Sequence, residues 1–290
     1  MWRLTGCWPD ELTGSPLRWK GDCQPGGQPG CSDPVSKEAV PDTKRLANPR
    51  VWNLWLALVF LVQAALILAL SNGFSIPVIV PIQTDIPGSA ITLQETVLDL
   101  CFSSVIAAFL LLAMVDHLFV GTVGARWYER NLLRNINYAR WIEYSISASL
   151  MIVLIAMLPG ITNLYTLIAL FSLNATMISF GLLMERVNQD SDEVTWWPFA
   201  FGCLAGIVPW ICITIALVLS TINGDLPGFV IVIFVSLFFL FNCFGLNQWL
   251  QYRGGGRYAD YLYGEKVYVV LSLVAKSALA WQIFAGTMSG

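Results

Sequence analysis

Charged residues are scarce in this sequence: only 12% of its 290 residues are Asp, Glu, Lys or Arg, and there is a single histidine. Soluble domains carry roughly 25% charged residues, so this shortage excludes a water-soluble globular protein. Because 56% of the residues are hydrophobic, an intrinsically disordered chain is excluded as well. The formal net charge of −3 indicates no basic footprint, so we expect no nucleic-acid partner.

The apolar residues are concentrated after residue 50 in continuous blocks of about 20, the length at which a helix crosses a lipid bilayer. The runs do not alternate between apolar and polar residues, as membrane-spanning strands would. We therefore predict an all-α membrane protein, a bundle of seven transmembrane helices. The predicted helices are Val51–Leu70, Thr96–Val120, Ile136–Leu158, Ile161–Met184, Trp196–Ser220, Leu226–Tyr252 and Val267–Met288.

Residues 1–50 differ in composition from the rest, being rich in Pro and Gly and carrying 7 of the 16 Lys and Arg residues. We predict a disordered cytoplasmic tail over 1–50 and a seven-helix domain over 51–290. The tail lacks the compact apolar segment of a cleavable signal peptide, so the first predicted helix is expected to act as the targeting signal. The spacing of the seven cysteines does not match a metal site, and none is expected.

The basic residues indicate the orientation in the membrane. Fifteen of the 16 lie in the tail or in the segments around the second, fourth and sixth loops, and the other loops contain none. The positive-inside rule then predicts a cell-membrane protein with a cytoplasmic N-terminus and an extracellular C-terminus. In the long external connection between the first two helices, the β-prone segment 76–81 predicts a short β-hairpin, with an irregular capping loop as the alternative.

The sixteenth basic residue, Lys276, lies in the middle of the last predicted helix, where a charge is costly and often functional. The third predicted helix contains an opposite charge, Glu143. Glu143 follows Arg134 by nine residues and Lys276 follows Lys266 by ten, so both lie roughly 14 Å deep at 1.5 Å per residue. We therefore expect the two side chains to face each other.

Two structural interpretations compete with a functional one: a Lys–Glu pair that only locks two helices, or a pairing of Glu143 with Arg140 one turn earlier. Buried ion pairs, however, are weak stabilisers. A buried lysine is well suited to form an imine with an aldehyde, and a nearby carboxylate keeps such an imine protonated. The sequence thus favours a covalent aldehyde site at Lys276.

Other residues predict the surroundings of this site, although each is also explained by ordinary packing. Ser272 lies one turn before Lys276 on the same helix face. Asp116 and His117 close the second predicted helix on its cytoplasmic side, where a hydrogen-bonded interfacial histidine is an equal alternative to a proton carrier. Six aromatic residues are available to line a long apolar ligand: Trp141, Tyr144, Trp210, Phe234, Phe238 and Trp281.

Four segments carry a family resemblance: "WNLWLALVFLVQ" in the first predicted helix, "DH" in the second, "RWIEYSIS" in the third and "SLVAKSALAWQ" in the last. Over roughly residues 45–290 the sequence resembles heliorhodopsins, seven-helix retinal proteins of inverted topology. It departs from other microbial rhodopsins, which place an Asp at the position of Ser272. It also departs from the family pattern, because Phe60 stands where a histidine is common.

The resemblance implies that all-trans retinal is bound covalently as a Schiff base on Lys276, with Glu143 as counterion and Ser272 as its hydrogen-bonding neighbour. Asn137 and Asn174 match polar positions of the family core, and His117 matches a histidine of its cytoplasmic cavity. We accordingly expect a retinal site formed by Lys276, Glu143, Ser272, Trp141, Tyr144, Asn174, Phe238 and Trp281. The proton-accepting or cytoplasmic cavity is expected to contain His117, Asp116, Asn137 and Arg140.

The resemblance further implies a homodimeric light-sensing photoreceptor in which light converts all-trans retinal to 13-cis in a slow photocycle. Pumping is not expected, because the external halves of the third to seventh predicted helices contain no Asp, Glu or His to relay a proton. We expect no enzymatic activity, but signalling through a soluble cytoplasmic partner. The alternatives are a light-gated proton or ion channel and a scaffold without chromophore that regulates a cytosolic enzyme.

Overall fold

A computed structural model of the protein describes residues 47–84, 86–88, 93–189, 191 and 193–289. Almost all of the predicted tail, residues 1–46, lies outside them. The described part contains two strands, β1 (Ser75–Ile82) and β2 (Leu93–Cys101), and a short 3-10 helix, Gly256–Ala259. Its α-helices are α1 (Ala47–Ala69), α2 (Phe102–Gly121), α3 (Ala125–Leu132), α4 (Tyr138–Met157), α5 (Leu164–Val187), α6 (Trp197–Asn223), α7 (Gly228–Arg253) and α8 (Tyr261–Ser289).

All of these helices except α3 are long and apolar enough to cross a membrane, which gives seven spanning helices in the described part of the chain. The predicted number of spans is therefore confirmed. We call the end of the bundle where α1, α4, α6 and α8 begin the basic face, because its connections carry the loop arginines. The hairpin lies between α1 and α2, toward the opposite end.

The predicted hairpin is confirmed, and the alternative of an irregular loop is wrong. β1 and β2 pair in antiparallel orientation, with a register shift between Val78 and Ile79. The side chain of Val78 is buried in the core, and the backbone N–H of Ile79 donates to the carbonyl oxygen of Thr162 at 2.9 Å. The hairpin is thereby attached to the segment that precedes α5.

Two helix starts differ from the prediction for identifiable reasons. The second spanning helix begins at Phe102 rather than Thr96, because the preceding residues are paired with β1. The last begins at Tyr261, six residues before the predicted Val267. The segment was predicted to be a loop because it contains the charged residue Glu265. In the structure the Glu265 carboxylate is buried and paired with Arg140 inside the bundle.

Helix α4 is the most buried of the seven spanning helices and packs between α2 and α5. The N-terminal half of α4 contains Arg140 and Glu143. The C-terminal half is almost entirely apolar and buried, as at Ile152 and Leu154. One apolar cluster joins α4 to the other spanning helices. This packing fixes the polar residues of α4 at defined depths next to α8.

Candidate functional site

The structure brings Lys276 of α8 and Glu143 of α4 together inside the bundle. Lys276 Nζ donates to Glu143 Oε2 at 2.9 Å and to Ser272 Oγ at 2.8 Å. The two charged residues are 3% and 4% exposed, so their contact is shielded from water. Ser272 takes part because a residue four positions earlier lies on the same helix face.

The alternative pairing of Glu143 with Arg140 is not found. Arg140 instead forms ion pairs with Glu185 of α5 and Glu265 of α8, the latter at 2.5 Å. Its guanidinium lies 3.8 Å from the ring centroid of Tyr268 and 4.3 Å from that of Trp141. One buried cation therefore joins three helices near the basic face.

Further donors complete this ionic cluster. The indole N–H of Trp141 donates to Glu185 Oε2 at 2.7 Å, and the hydroxyl of Tyr261 donates to Glu185 Oε1 at 3.1 Å. The side-chain amide of Asn137 donates to Glu265 Oε2 at 2.6 Å. Arg140 and Asn137, predicted for a polar cavity, thus lie in a packed network. Glu185 and Glu265 were not predicted for the site, because both lie near helix ends where solvent-exposed acids are common.

A cavity of about 660 Å³ adjoins Lys276 and Ser272. Trp141, Tyr144 and Phe238 line it as predicted for an apolar ligand. It is also lined by residues that were not predicted for the site, chiefly Met177, Gly181, Phe241, Phe244 and Tyr268. Tyr268 was detectable, because 268, 272 and 276 repeat at the four-residue spacing of one helix face.

Gly181 allows Trp141 to lie against the cavity. A Cβ atom at residue 181 would come within 2.3 Å of the Trp141 ring, so only glycine leaves room for it. The ring is then held by its hydrogen bond to Glu185. Trp141 therefore belongs both to the cavity wall and to the ionic cluster.

Three of the predicted retinal-site residues lie outside the cavity wall: Glu143, which contacts the lysine at its edge, and Asn174 and Trp281. The amide of Asn174 donates to Ser149 Oγ at 3.1 Å, and the indole of Trp281 donates to Gln63 Oε1 at 3.1 Å. Neither side chain lines the cavity. The helical periodicity placed both residues inside the bundle but could not show which neighbour each would meet.

Two buried polar atoms beside the lysine have no hydrogen-bond partner within the described residues: Glu143 Oε1 and Ser147 Oγ. Ser147 also lines the cavity. Buried polar atoms are normally satisfied. These atoms therefore mark a place where a bound group or an ordered water belongs.

His117 is fully embedded next to Asn53 and Phe60. Its Nδ1 is 2.8 Å from Asn53 Oδ1, and because that oxygen can only accept, Nδ1 donates and Nε2 is left as the acceptor. The Phe60 ring stacks on the imidazole at 5.6 Å and lies 5.8 Å from Lys276 Nζ. Phe60 is thus a neighbour of both the lysine and the histidine. Asp116 is half-buried and forms no ion pair with any residue that the structure describes.

The described residues contain no group of three or more His, Cys, Asp or Glu side chains arranged to hold a metal ion.

Comparison with known proteins agrees with this architecture. The family model described as heliorhodopsin matches residues 50–288. A search of curated proteins gave no match. Among solved structures, the crystal structure of the light-driven proton pump LR (Mac) from Leptosphaeria maculans superimposes with a TM-score of 0.59 at 15% identity, covering 84% of this chain and 97% of that one. At this identity, the likeness shows the shared rhodopsin-type fold alone.

Proposed function

The chain belongs to the heliorhodopsin family and is a membrane-embedded retinal photoreceptor, and we propose that Lys276 carries the retinal with Glu143 as its counterion. The observation that supports this assignment is the buried contact of Lys276 Nζ with Glu143 Oε2 and Ser272 Oγ at the edge of an aromatic cavity. Among the residues that the structure describes, no other lysine lies within a spanning helix away from its ends.

The residues present fit a covalently bound retinal. The cavity volume lies within the range of ordinary ligand sites, and its mostly apolar wall includes nine aromatic side chains. The partnerless Glu143 Oε1 and Ser147 Oγ fit a site completed by a bound group and its ordered water. When bound through an imine to Lys276, retinal supplies visible-light absorption and isomerisation from all-trans to 13-cis.

The protein contributes the placement of charge and proton around Nζ. The Glu143 carboxylate stabilises a positive charge on that nitrogen, because an opposite charge within hydrogen-bond distance favours the protonated form. Ser272 Oγ accepts a second hydrogen bond from Nζ and so fixes its direction. Trp141, Tyr144 and Phe238 exclude water from the apolar part of the site.

We further propose that a proton released from Nζ moves to Glu143 rather than to His117. Glu143 Oε1 is a buried acceptor without a protein partner. The Phe60 ring, which has no donor or acceptor, stacks on the imidazole and lies 5.8 Å from Nζ. Beyond Lys276, the halves of α4 to α8 that lead away from the basic face contain no Asp, Glu or His. These features favour a slow, non-pumping sensor.

Surface charge and exposed apolar residues support an orientation in the membrane and an assembly. We place the basic face in the cytoplasm, because the loop arginines are concentrated there. A homodimer through the hairpin is supported by the exposed apolar side chains of Leu93, Val97 and Leu98 on β2. A soluble partner would then meet the connections at the basic face.

Reconstitution with retinal tests the assignment. Purified protein mixed with all-trans retinal should develop a visible absorption band, and Lys276→Ala should abolish it. Lys266→Ala, which removes an exposed lysine at the start of the same helix, should retain it. Failure of the native chain to form a band, or a band that survives in Lys276→Ala, would contradict the proposal. Reproducible photocurrents under voltage clamp would favour the light-gated channel instead.

A further inference from the structure

Helix α3 and the turn that follows it carry three arginines without a counter-charge among the described residues. Arg126, Arg130 and Arg134 are spaced four residues apart, and all three are exposed. None of them forms an ion pair with a described residue. The one acid of the helix, Glu129, is occupied by two hydrogen bonds of 2.6 and 2.9 Å from Arg50. The row therefore presents concentrated positive charge to its surroundings.

The opposite side of α3 is fixed to the bundle. Ala125, Tyr128 and Leu132 are buried, and the last two pack with Val120 and Ala139. Burial raises the pKa of the Tyr128 hydroxyl, so this side stays uncharged. Because the helix is anchored by its apolar side, the arginines must point away from the bundle.

Apolar side chains are exposed beside the arginines. Val123, which precedes α3 and comes just after α2 ends at Gly121, is 89% exposed, and Leu133, which follows α3, is 50% exposed. Trp127 lies between Phe119 and Tyr138, with ring centroids 6.1 and 6.2 Å away. Exposed apolar residues, an aromatic anchor and arginines together are typical of a helix at the membrane interface.

We propose that the α3 patch, formed by Val123, Arg126, Arg130, Leu133 and Arg134, binds the headgroup phosphate of an anionic phospholipid. Guanidinium groups bind phosphate oxygens through paired hydrogen bonds. The Nε of Arg130 donates to the carbonyl oxygen of Arg126 at 3.3 Å, which leaves its two terminal nitrogens for the phosphate. Val123 and Leu133 reach the acyl chains, which a soluble phosphate compound lacks. This binding is independent of the photoreceptor proposal.

Native mass spectrometry of the full-length protein in detergent, titrated with dioleoyl phosphatidylglycerol or dioleoyl phosphatidylcholine, tests the proposal. The wild type should retain phosphatidylglycerol preferentially. A basic residue beside an anionic surface contributes about fivefold to affinity, so R126Q/R130Q/R134Q should lose roughly 100-fold of the preference. R126K/R130K/R134K keeps the charge but not the paired geometry, and should retain only part of the preference.

A matched control removes the same charge elsewhere on the basic face. R253Q/R257Q/K266Q neutralises three exposed residues around the α7–α8 connection and should retain the preference. Circular dichroism of each variant checks that the helices are folded. Equal losses in both glutamine triples would show diffuse surface charge and overturn the proposal. Competition by glycerol phosphate would also overturn it. So would a wild type that binds both lipids equally, and the α3 patch would then be assigned to a protein partner.

Discussion

Glu143 contacts Lys276 through only one of its two carboxylate oxygens. We expect Glu143→Gln to shift the visible absorption of the retinal-loaded protein to longer wavelength. The carboxylate stabilises the positive charge near Nζ in the ground state, and the amide has no charge to do so. The absorption spectrum measures the shift, and Glu193→Gln at an exposed position serves as the control. An unchanged spectrum in Glu143→Gln would indicate a different counterion.

Phe60 places an apolar ring next to both Lys276 and His117. The Phe60 ring centroid lies 5.8 Å from Nζ, so we expect Phe60→His to place a proton acceptor at a similar distance and to open a route toward His117. Flash photolysis should then show a larger transient blue-shifted absorption, the signature of a deprotonated nitrogen. Phe60→Leu changes the ring without adding an acceptor and should behave as the wild type. Identical transients in all three proteins would place the proton route elsewhere.

The packing of α4, α5 and α8 depends on the Arg140 cluster. Arg140→Gln leaves Glu185 and Glu265 buried without their cation, and such a loss costs about 3–5 kcal/mol of unfolding free energy. Thermal unfolding followed by circular dichroism should therefore show a markedly lower Tm. Arg50→Gln breaks an exposed ion pair and should leave the Tm nearly unchanged. Similar Tm values for both variants would mean that the cluster does not hold these helices together.

The ends of the elements were harder to predict than the elements themselves. Residues 96–101 are apolar enough to extend a helix, yet they pair with β1 because a complementary strand lies within reach. Residues 261–266 were assigned to a loop because they include Glu265 and Lys266, yet Glu265 is neutralised by Arg140 from another helix. Helix α3 was not predicted, because eight residues are too few for apolar periodicity to stand out.

The orientation of the whole bundle follows from charge and can be tested directly. We expect an epitope inserted after Gly224, between α6 and α7, to be accessible to antibody on intact cells. An epitope inserted after Gly255, between α7 and α8, should become accessible only after permeabilisation. The reason is that basic connections are retained in the cytoplasm during insertion. The reverse pattern would contradict the proposed topology, whereas the retinal chemistry would be unaffected.

The sequence by itself determined the seven spans and the depth of Lys276 and Glu143, because hydrophobic length and helical rise are local properties of the chain. Phe60 was named through the family resemblance alone, and His117 as the single histidine, near the end of the second predicted helix. Only the tertiary structure decided which side chains meet across helices: Arg140 with Glu185 and Glu265, Phe60 with Lys276 and His117, and Asn174 and Trp281 away from the cavity. Such contacts depend on the rotation and tilt of each helix against its neighbours, and periodicity constrains the buried face without fixing its partner.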